Sequence, residues 1–95
     1  MTEFLVELYV SKTNCAAVVV EAERLNRAAA ELTAEGRPVR LLQRIFVPED
    51  ETCFLLVEAA TTENVHETAR RAALRIERVV ETAADTTTQE RSNPR

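Results

Sequence analysis

The stretch RIFVPEDETCFLLVEA, residues 44–59, decides the fold of this 95-residue chain. Two apolar runs, at residues 41–47 and 53–57, flank the polar segment PEDE at residues 48–51. Proline has no N–H to donate to a strand ladder, and the three carboxylates after it repel one another and prefer water. The stretch therefore predicts two antiparallel strands, over residues 39–47 and 52–59, joined by a turn at residues 49–51.

The segment before this hairpin predicts one strand and one helix. Residues 4–10, FLVELYV, alternate between an apolar face and an amphipathic one, as expected for a strand with one side in a core. Thr13 or Asn14 is the expected N-cap of the helix, and Gly36, the only glycine, is expected to end it. The apolar stripe of this helix has spacings of four and three: Val18, Ala22, Leu25, Ala29 and Leu32.

The segment after the hairpin repeats the same order. Thr61 and Thr62 offer hydroxyl caps for a second helix, whose apolar stripe includes Val65, Ala69 and Ala72. Residues 76–83 alternate and predict a final strand. Residues 85–95, DTTTQERSNPR, contain no apolar side chain, so burial cannot offset their ordering entropy and we expect a flexible polar tail.

The resulting order, βαββαβ, is the ferredoxin-like plan of the α+β class. It places a four-stranded antiparallel sheet under two helices, which both lie on one face. In this plan the first and third strands are neighbours at the centre of the sheet. We therefore expect one ferredoxin-like domain over residues 1–84, followed by the tail.

Composition limits the classes of function. With 45% hydrophobic and 29% charged residues, the chain has the composition of a small globular domain. Its net charge of −4 is unlike the basic surface that usually binds nucleic acid. Glu3 and Glu7 stand where a signal peptide carries positive charge, and no apolar run is long enough to span a membrane. We therefore expect a cytoplasmic protein that binds neither nucleic acid nor membrane.

The two cysteines predict no dedicated chemistry. Cys15 and Cys53 are far apart in the sequence and form no C-x-x-C motif, so neither a zinc site nor a disulfide framework is indicated. We expect both thiols to be small buried fillers in a reducing compartment.

Three segments resemble a family of small bacterial proteins long described as a domain of unknown function: residues 4–10, 35–59 and 69–81. The similarity covers roughly residues 2–83, and FVPEDETCF is its most specific part. The resemblance implies a ferredoxin-like fold and a homodimer. Because the family includes a nickel-binding protein, it also implies nickel or another divalent metal as a ligand.

One segment of this chain departs from the pattern of the nickel-binding members. Those members carry a histidine within an E-H-A-R-R segment, where this chain reads Glu67-Thr68-Ala69-Arg70-Arg71. The sole histidine, His66, lies two positions earlier, about 200° around a helix of 3.6 residues per turn. His66, beside Glu67 and near Glu63, is therefore the candidate metal ligand that remains.

The side of the sheet away from the helices is the candidate functional surface. This side is too apolar to remain exposed to water. Either it forms a dimer interface whose charges pair with one another, or it encloses a ligand. The expected ligand-binding residues are Glu7, Tyr9, Arg44 and Glu58, with Glu7 beside Glu58 and Arg44 within reach. Alternation places these residues on this side: Leu5, Glu7, Tyr9, Arg40, Leu42, Arg44, Phe46, Phe54, Leu56 and Glu58.

The acidic turn at residues 49–51 offers oxygen ligands for a hard cation, although most such turns are only solvated. No phosphate loop or nucleophilic triad is indicated. The sequence favours a small dimeric binding protein without catalytic residues, whose ligand is a divalent metal such as nickel or a small molecule. The alternative is a dimeric enzyme, a cofactorless monooxygenase or an isomerase, that acts on a small apolar compound.

Overall fold

The computed structural model describes residues 1–82 and confirms the ferredoxin-like plan. The four strands form one antiparallel sheet in the order β2-β3-β1-β4, so the first and third strands are central, as predicted. The elements are β1 Thr2–Tyr9, α1 Ala16–Ala34, β2 Val39–Val47, β3 Thr52–Ala59, α2 Thr62–Arg71 and β4 Ile76–Glu81. A short 3₁₀ turn, Pro48–Asp50, joins β2 to β3 and confirms the hairpin.

The core lies between the helices and one side of the sheet. All five stripe residues predicted for α1 are buried, and Ala28 is buried beside them. Small alanines on α1 let the helix approach the sheet closely. The sheet contributes alternate residues of its two central strands, which are buried without exception: Phe4, Val6 and Leu8 from β1, and Cys53, Leu55, Val57 and Ala59 from β3.

Helix α1 ends as predicted and begins differently. Gly36 has φ +85°, its N–H donates to the Thr33 carbonyl, and the Arg37 N–H donates to the Leu32 carbonyl. These two bonds make a Schellman motif, which needs a residue with positive φ. At the other end, the N-cap is Cys15 rather than Thr13 or Asn14, and no side chain caps the helix. The cap prediction was wrong because the residues 11–14 form a separate turn before the helix.

Helix α2 begins at the predicted cap. The Thr61 hydroxyl accepts a hydrogen bond from the Asn64 N–H at 3.2 Å. Arg71 joins this helix to the end of α1, because its guanidinium contacts Glu67 on its own helix and Glu35 at the C-cap of α1, each at 2.8 Å. Within the described residues, the predicted last strand ends at Glu81; residue 83 and the predicted tail lie outside the described residues.

Strand β2 contains a bulge that corrects the predicted faces of the hairpin. Its pairing with β3 shifts between Leu41 and Gln43, so Leu42 has no partner of its own. Beyond the bulge the alternation is reversed, since one extra residue moves each following side chain to the other face.

The reversal moves four side chains from the faces that strict alternation along β2 predicts: Arg44, Ile45, Phe46 and Val47. Arg44 lies opposite the buried Leu55, and Phe46 lies opposite the buried Cys53, so both are on the helix-covered side. Strict alternation along β2 places Ile45 and Val47 on the core side. They instead lie opposite Phe54 and Thr52 on the uncovered side, where Ile45 is 44% exposed.

Neither helix in residues 1–82 combines the length and the hydropathy required to cross a bilayer.

Candidate functional site

The uncovered side of the sheet, here called the open face, consists of four rows of side chains that run across the strands. Residues directly opposite each other in antiparallel strands project to the same side, so the pairing assigns each row. Charged residues dominate the first row and apolar residues dominate the second. The rows are Arg40–Glu58–Glu3, Gln43–Leu56–Leu5–Val80, Ile45–Phe54–Glu7–Arg78 and Val47–Thr52–Tyr9.

Glu7 and Glu58 share the open face but are not neighbours, which contradicts the expected pair. Glu7 lies opposite Phe54, four residues from Glu58 along β3, or roughly 13 Å at the rise of a strand. Each carboxylate has its own cation: Arg78 contacts Glu7 at 3.6 Å and Arg40 contacts Glu58 at 3.3 Å. Both pairs are partly exposed to solvent, so each contributes little to stability.

Arg44 does not belong to the predicted ligand set. Because of the β2 bulge it projects from the helix-covered side, where it is exposed at the edge of the sheet. It therefore cannot act as the counter-ion between Glu7 and Glu58.

The two cysteines lie in different environments. Cys53 is buried, and its burial raises the pKa of the thiol, with a smaller contribution from the charge of Glu21. Cys53 is therefore an apolar filler, as predicted. Cys15 is exposed at the start of α1, so its predicted burial was wrong.

Glu7 and Tyr9 do come together, at one end of the open face. They border a cleft of about 270 Å³, called here the acidic cleft. Tyr9 is 58% exposed, so its ring is accessible from solvent. Four carboxylates line the cleft, and no basic side chain is among the described residues that line it. The lining consists of Glu7, Leu8, Tyr9, Asp50, Glu51, Thr52 and Glu77.

Backbone geometry fixes the wall of the acidic cleft at the hairpin turn. Glu51 adopts a left-handed conformation with φ +50°, which is uncommon for a residue with a side chain. Its carbonyl accepts the Val10 N–H and its carboxylate accepts the Lys12 N–H, both at 3.0 Å. The Thr52 hydroxyl donates to the Asp50 carbonyl at 2.9 Å. These bonds hold the hairpin turn against the chain that leaves β1.

The residues implied by the metal resemblance do not form a site. His66 is exposed on α2, and the neighbouring Glu67 is bound by Arg70 and Arg71. Thr68 is fully buried and its hydroxyl donates to the Asn64 carbonyl at 2.7 Å, so it does not face a ligand. Within residues 1–82, no group of three or more His, Cys, Asp or Glu side chains is placed to hold a metal ion.

A second depression, of about 290 Å³, follows the N-terminal half of α1 and is lined by residues of that region alone: Asn14, Ala16, Ala17, Val20, Glu21 and Arg24. Burial raises the pKa of Glu21 against the opposing charge of Arg24. The Oε1 atom of Glu21 is buried without a hydrogen-bond partner among the described residues. The lining of this depression comes from one segment of the chain, whereas the acidic cleft combines residues of β1, the hairpin turn, β3 and β4 and can therefore contact a ligand from several sides.

Sequence reasoning missed several residues of the open face and the acidic cleft, among them Ile45, which was detectable, and Glu77, which was not. Ile45 could have been assigned to the open face by counting pairs outward from the four-residue turn, because Val47 opposite Thr52 places Ile45 opposite Phe54. Glu77 could not have been assigned to the cleft from the sequence. It occupies a second bulge, where the pairing of β1 with β4 shifts between Glu7 and Leu8.

Searches with this chain matched no family model, no curated protein and no solved structure.

Proposed function

We propose that this protein is a small binding protein whose ligand is an organic cation held in the acidic cleft. The observation that carries the proposal is the lining of the cleft, which combines four carboxylates with the accessible ring of Tyr9. Carboxylates attract a cation electrostatically, and the face of a tyrosine ring adds a cation–π contact. The volume of about 270 Å³ suits a compound of a few heavy atoms.

An organic cation fits the cleft better than the nickel that the resemblance implies. Nickel is usually bound by grouped imidazole and carboxylate ligands. The one histidine, His66, does not line the cleft, and the carboxylates of the described residues are not grouped tightly enough to hold one ion. Carboxylates that are spread along a cleft can instead surround an organic cation, which is larger than a metal ion and spreads its charge over several atoms.

The enzyme alternative has less support from the same cleft. A cofactorless monooxygenase or isomerase for an apolar compound needs an enclosed apolar cavity. The acidic cleft is lined mainly by carboxylates, so it suits binding of a cation rather than turnover of an apolar compound.

Calorimetric titration tests the proposal, with tetramethylammonium and butylammonium as organic probes and Ni²⁺ and Zn²⁺ as metal probes. Asp50→Asn should weaken binding of the organic probes about fivefold, because one carboxylate near an exposed cation contributes ~1 kcal/mol. Tyr9→Leu should weaken binding of tetramethylammonium more than binding of butylammonium.

Glu49→Gln is the matched control, because Glu49 precedes Asp50 in the same turn and does not line the cleft. It should leave the affinity unchanged. Tight binding of Ni²⁺ with no response to either organic probe would replace the proposed ligand by the metal. Binding of none of the four probes would overturn the proposal.

A further inference from the structure

Helix α2 covers only half the length of α1. Helix α1 has 19 residues and α2 has 10. Near the start of α2, Asn64 accepts a hydrogen bond from Arg37, which follows α1, and just after α2 the carbonyl of Ala73 accepts one from Arg24. The two helices therefore run antiparallel, and α2 ends level with the middle of α1. The depression of about 290 Å³ described above, here called the α1 depression, follows the half of α1 that α2 does not reach.

The walls of the α1 depression include an apolar surface that is open to solvent. Ala16 and Ala17 contribute short side chains, and the neighbouring Val20 is 50% exposed. An apolar group that binds beside Val20 would leave water and cover this surface. The volume of the depression lies just below the range of pockets that hold drug-sized ligands, so it suits a compound of a few heavy atoms.

Two opposite charges line the same depression without contacting each other. Glu21 and Arg24 are three residues apart on α1, a spacing at which opposite charges usually pair. In the described part of the chain, however, neither forms an ion pair with the other. The Arg24 guanidinium instead donates from Nη2 to the Ala73 carbonyl at 3.2 Å, which holds it toward the turn after α2. A carboxyl group and a guanidinium therefore remain separate at one helical turn.

The carboxyl group of Glu21 lacks a partner of its own. Its Oε1 atom is shielded from solvent and accepts no hydrogen bond from the residues that the structure describes. Burial raises the pKa of this carboxyl, and the charge of Arg24 offsets the effect only in part. A shielded carboxylate without a donor costs free energy, and a cation bound beside it reduces that cost through a charge-assisted hydrogen bond.

We propose that the α1 depression binds a small apolar α-amino acid. Its ammonium group pairs with Glu21, its carboxylate pairs with Arg24, and its side chain packs on Val20. The ammonium and the carboxylate of an α-amino acid are attached to one carbon, so they match two opposite charges one helical turn apart. One helix is sufficient to orient such a ligand, because both ends of the ligand find a charge of opposite sign.

This site is separate from the acidic cleft, and the proposal stands without the organic cation. The two hollows share no lining residue. The acidic cleft is also unsuited to an amino acid, because its four carboxylates repel the carboxylate of the ligand.

NMR titration of the backbone amides with L-leucine tests the proposal. The amides of Ala17, Glu21 and Arg24 should shift and reach saturation, whereas that of Thr52, in the acidic cleft, should not move. Isoamylamine lacks the carboxylate of leucine, and isocaproate lacks its ammonium group. Each should bind at the α1 depression about tenfold more weakly than leucine, because each loses one charge-assisted hydrogen bond.

Variants of the two charged residues identify the contacts. Glu21→Gln and Arg24→Met should each weaken leucine binding about tenfold. The matched controls are Glu23→Gln and Arg27→Met, since both residues are exposed on the same helix and do not line the depression, and these variants should bind leucine as the wild type does. Circular dichroism reports whether each variant folds. Should Glu21→Gln unfold, the comparison of leucine with its two analogues on the wild-type protein decides the question alone.

Three results would overturn the proposal. The first is the absence of saturable shifts at the α1 depression with leucine. The second is isoamylamine or isocaproate binding there as tightly as leucine, which would remove one of the two charge contacts. The third is an equal loss of leucine binding in Glu21→Gln and Glu23→Gln. Glu21→Gln should still bind tetramethylammonium as the wild type does, and Asp50→Asn should still bind leucine, so failure of one site is distinguished from failure of the other.

Discussion

Glu67 illustrates how one carboxylate can organise the surface between two helices. It accepts hydrogen bonds from Arg70 at 2.7 Å and from Arg71 at 2.8 Å, and Arg71 also donates to Glu35 at the C-cap of α1. The bonds from Arg70, followed by those from Arg71, lower the pKa of Glu67 from 4.5 to about 2. Arg71 therefore contacts carboxylates at both helices. A network of several charges can stabilise a fold more than one isolated surface ion pair does.

The lowered pKa of Glu67 predicts how stability depends on pH. A carboxyl group with a depressed folded-state pKa stabilises the fold above its unfolded value and loses this contribution as pH falls toward the folded value. Glu67→Gln should therefore be less stable than wild type at pH 7, and the difference should shrink between pH 4.5 and about 2. Urea denaturation at several pH values measures it.

Glu23→Gln is a suitable control for that series, because Glu23 is exposed on α1 and forms no ion pair among the described residues. Its stability difference from wild type should be small at each pH. A deficit in Glu67→Gln that persists unchanged at pH 2 would show that packing rather than charge is responsible.

Both helices end with the same motif, but different residues occupy its left-handed position. Gly36 fills it after α1 with φ +85°, whereas Ala73 fills it after α2 with φ +57°. The Ala73 N–H donates to Arg70 and the Leu74 N–H donates to Ala69, as the Schellman motif requires. An alanine there is strained, because its Cβ crowds the backbone at positive φ.

Reciprocal substitutions should change the stability in opposite directions. Ala73→Gly should stabilise the protein by about 0.5–1 kcal/mol, because the relief of strain exceeds the entropy that glycine adds to the unfolded chain. Gly36→Ala should destabilise it by a similar amount, although a Cβ at Gly36 would meet no atom within 4 Å. Thermal and urea unfolding measure both. If both substitutions changed the free energy of unfolding in the same direction, the explanation by backbone strain would be contradicted.

At the scale of the whole molecule, stability rests on one small core on the helix-covered side of the sheet. Leu25 is fully buried at the centre of α1, whereas Val20 on the same helix is 50% exposed. Leu25→Ala should therefore destabilise the protein by about 2–5 kcal/mol, a large fraction of the total for one domain, through lost burial and a residual cavity.

Val20→Ala removes apolar carbons from the same helix without leaving a buried cavity, so it should change the free energy of unfolding little. Urea denaturation of both variants provides the comparison. If both variants lost a similar amount of stability, α1 would be stabilised mainly by contacts on its outer side. That result would indicate an interface on this side of the helix.

The sequence by itself determined the elements, their order and the core. Proline and three carboxylates at residues 48–51 interrupt any strand, one glycine ends α1, and the spacing of apolar residues separates helix from strand. These signals are local, because each depends on the conformational preference of a few neighbouring residues. Glu7 and Tyr9 were placed correctly on the open face for the same reason, since the core side of β1 is buried without interruption.

Only the tertiary structure decided which other side chains share the open face and the cleft. Alternation within β2 predicts Arg44 on the open face within reach of Glu7, but the bulge at Leu42 reverses the pattern and exchanges Arg44 for Ile45. Likewise, Glu77 reaches the cleft because β4 shifts its register against β1. A bulge depends on how two strands pair, and each extra residue turns every later side chain to the opposite face, so no pattern within a single strand reveals it.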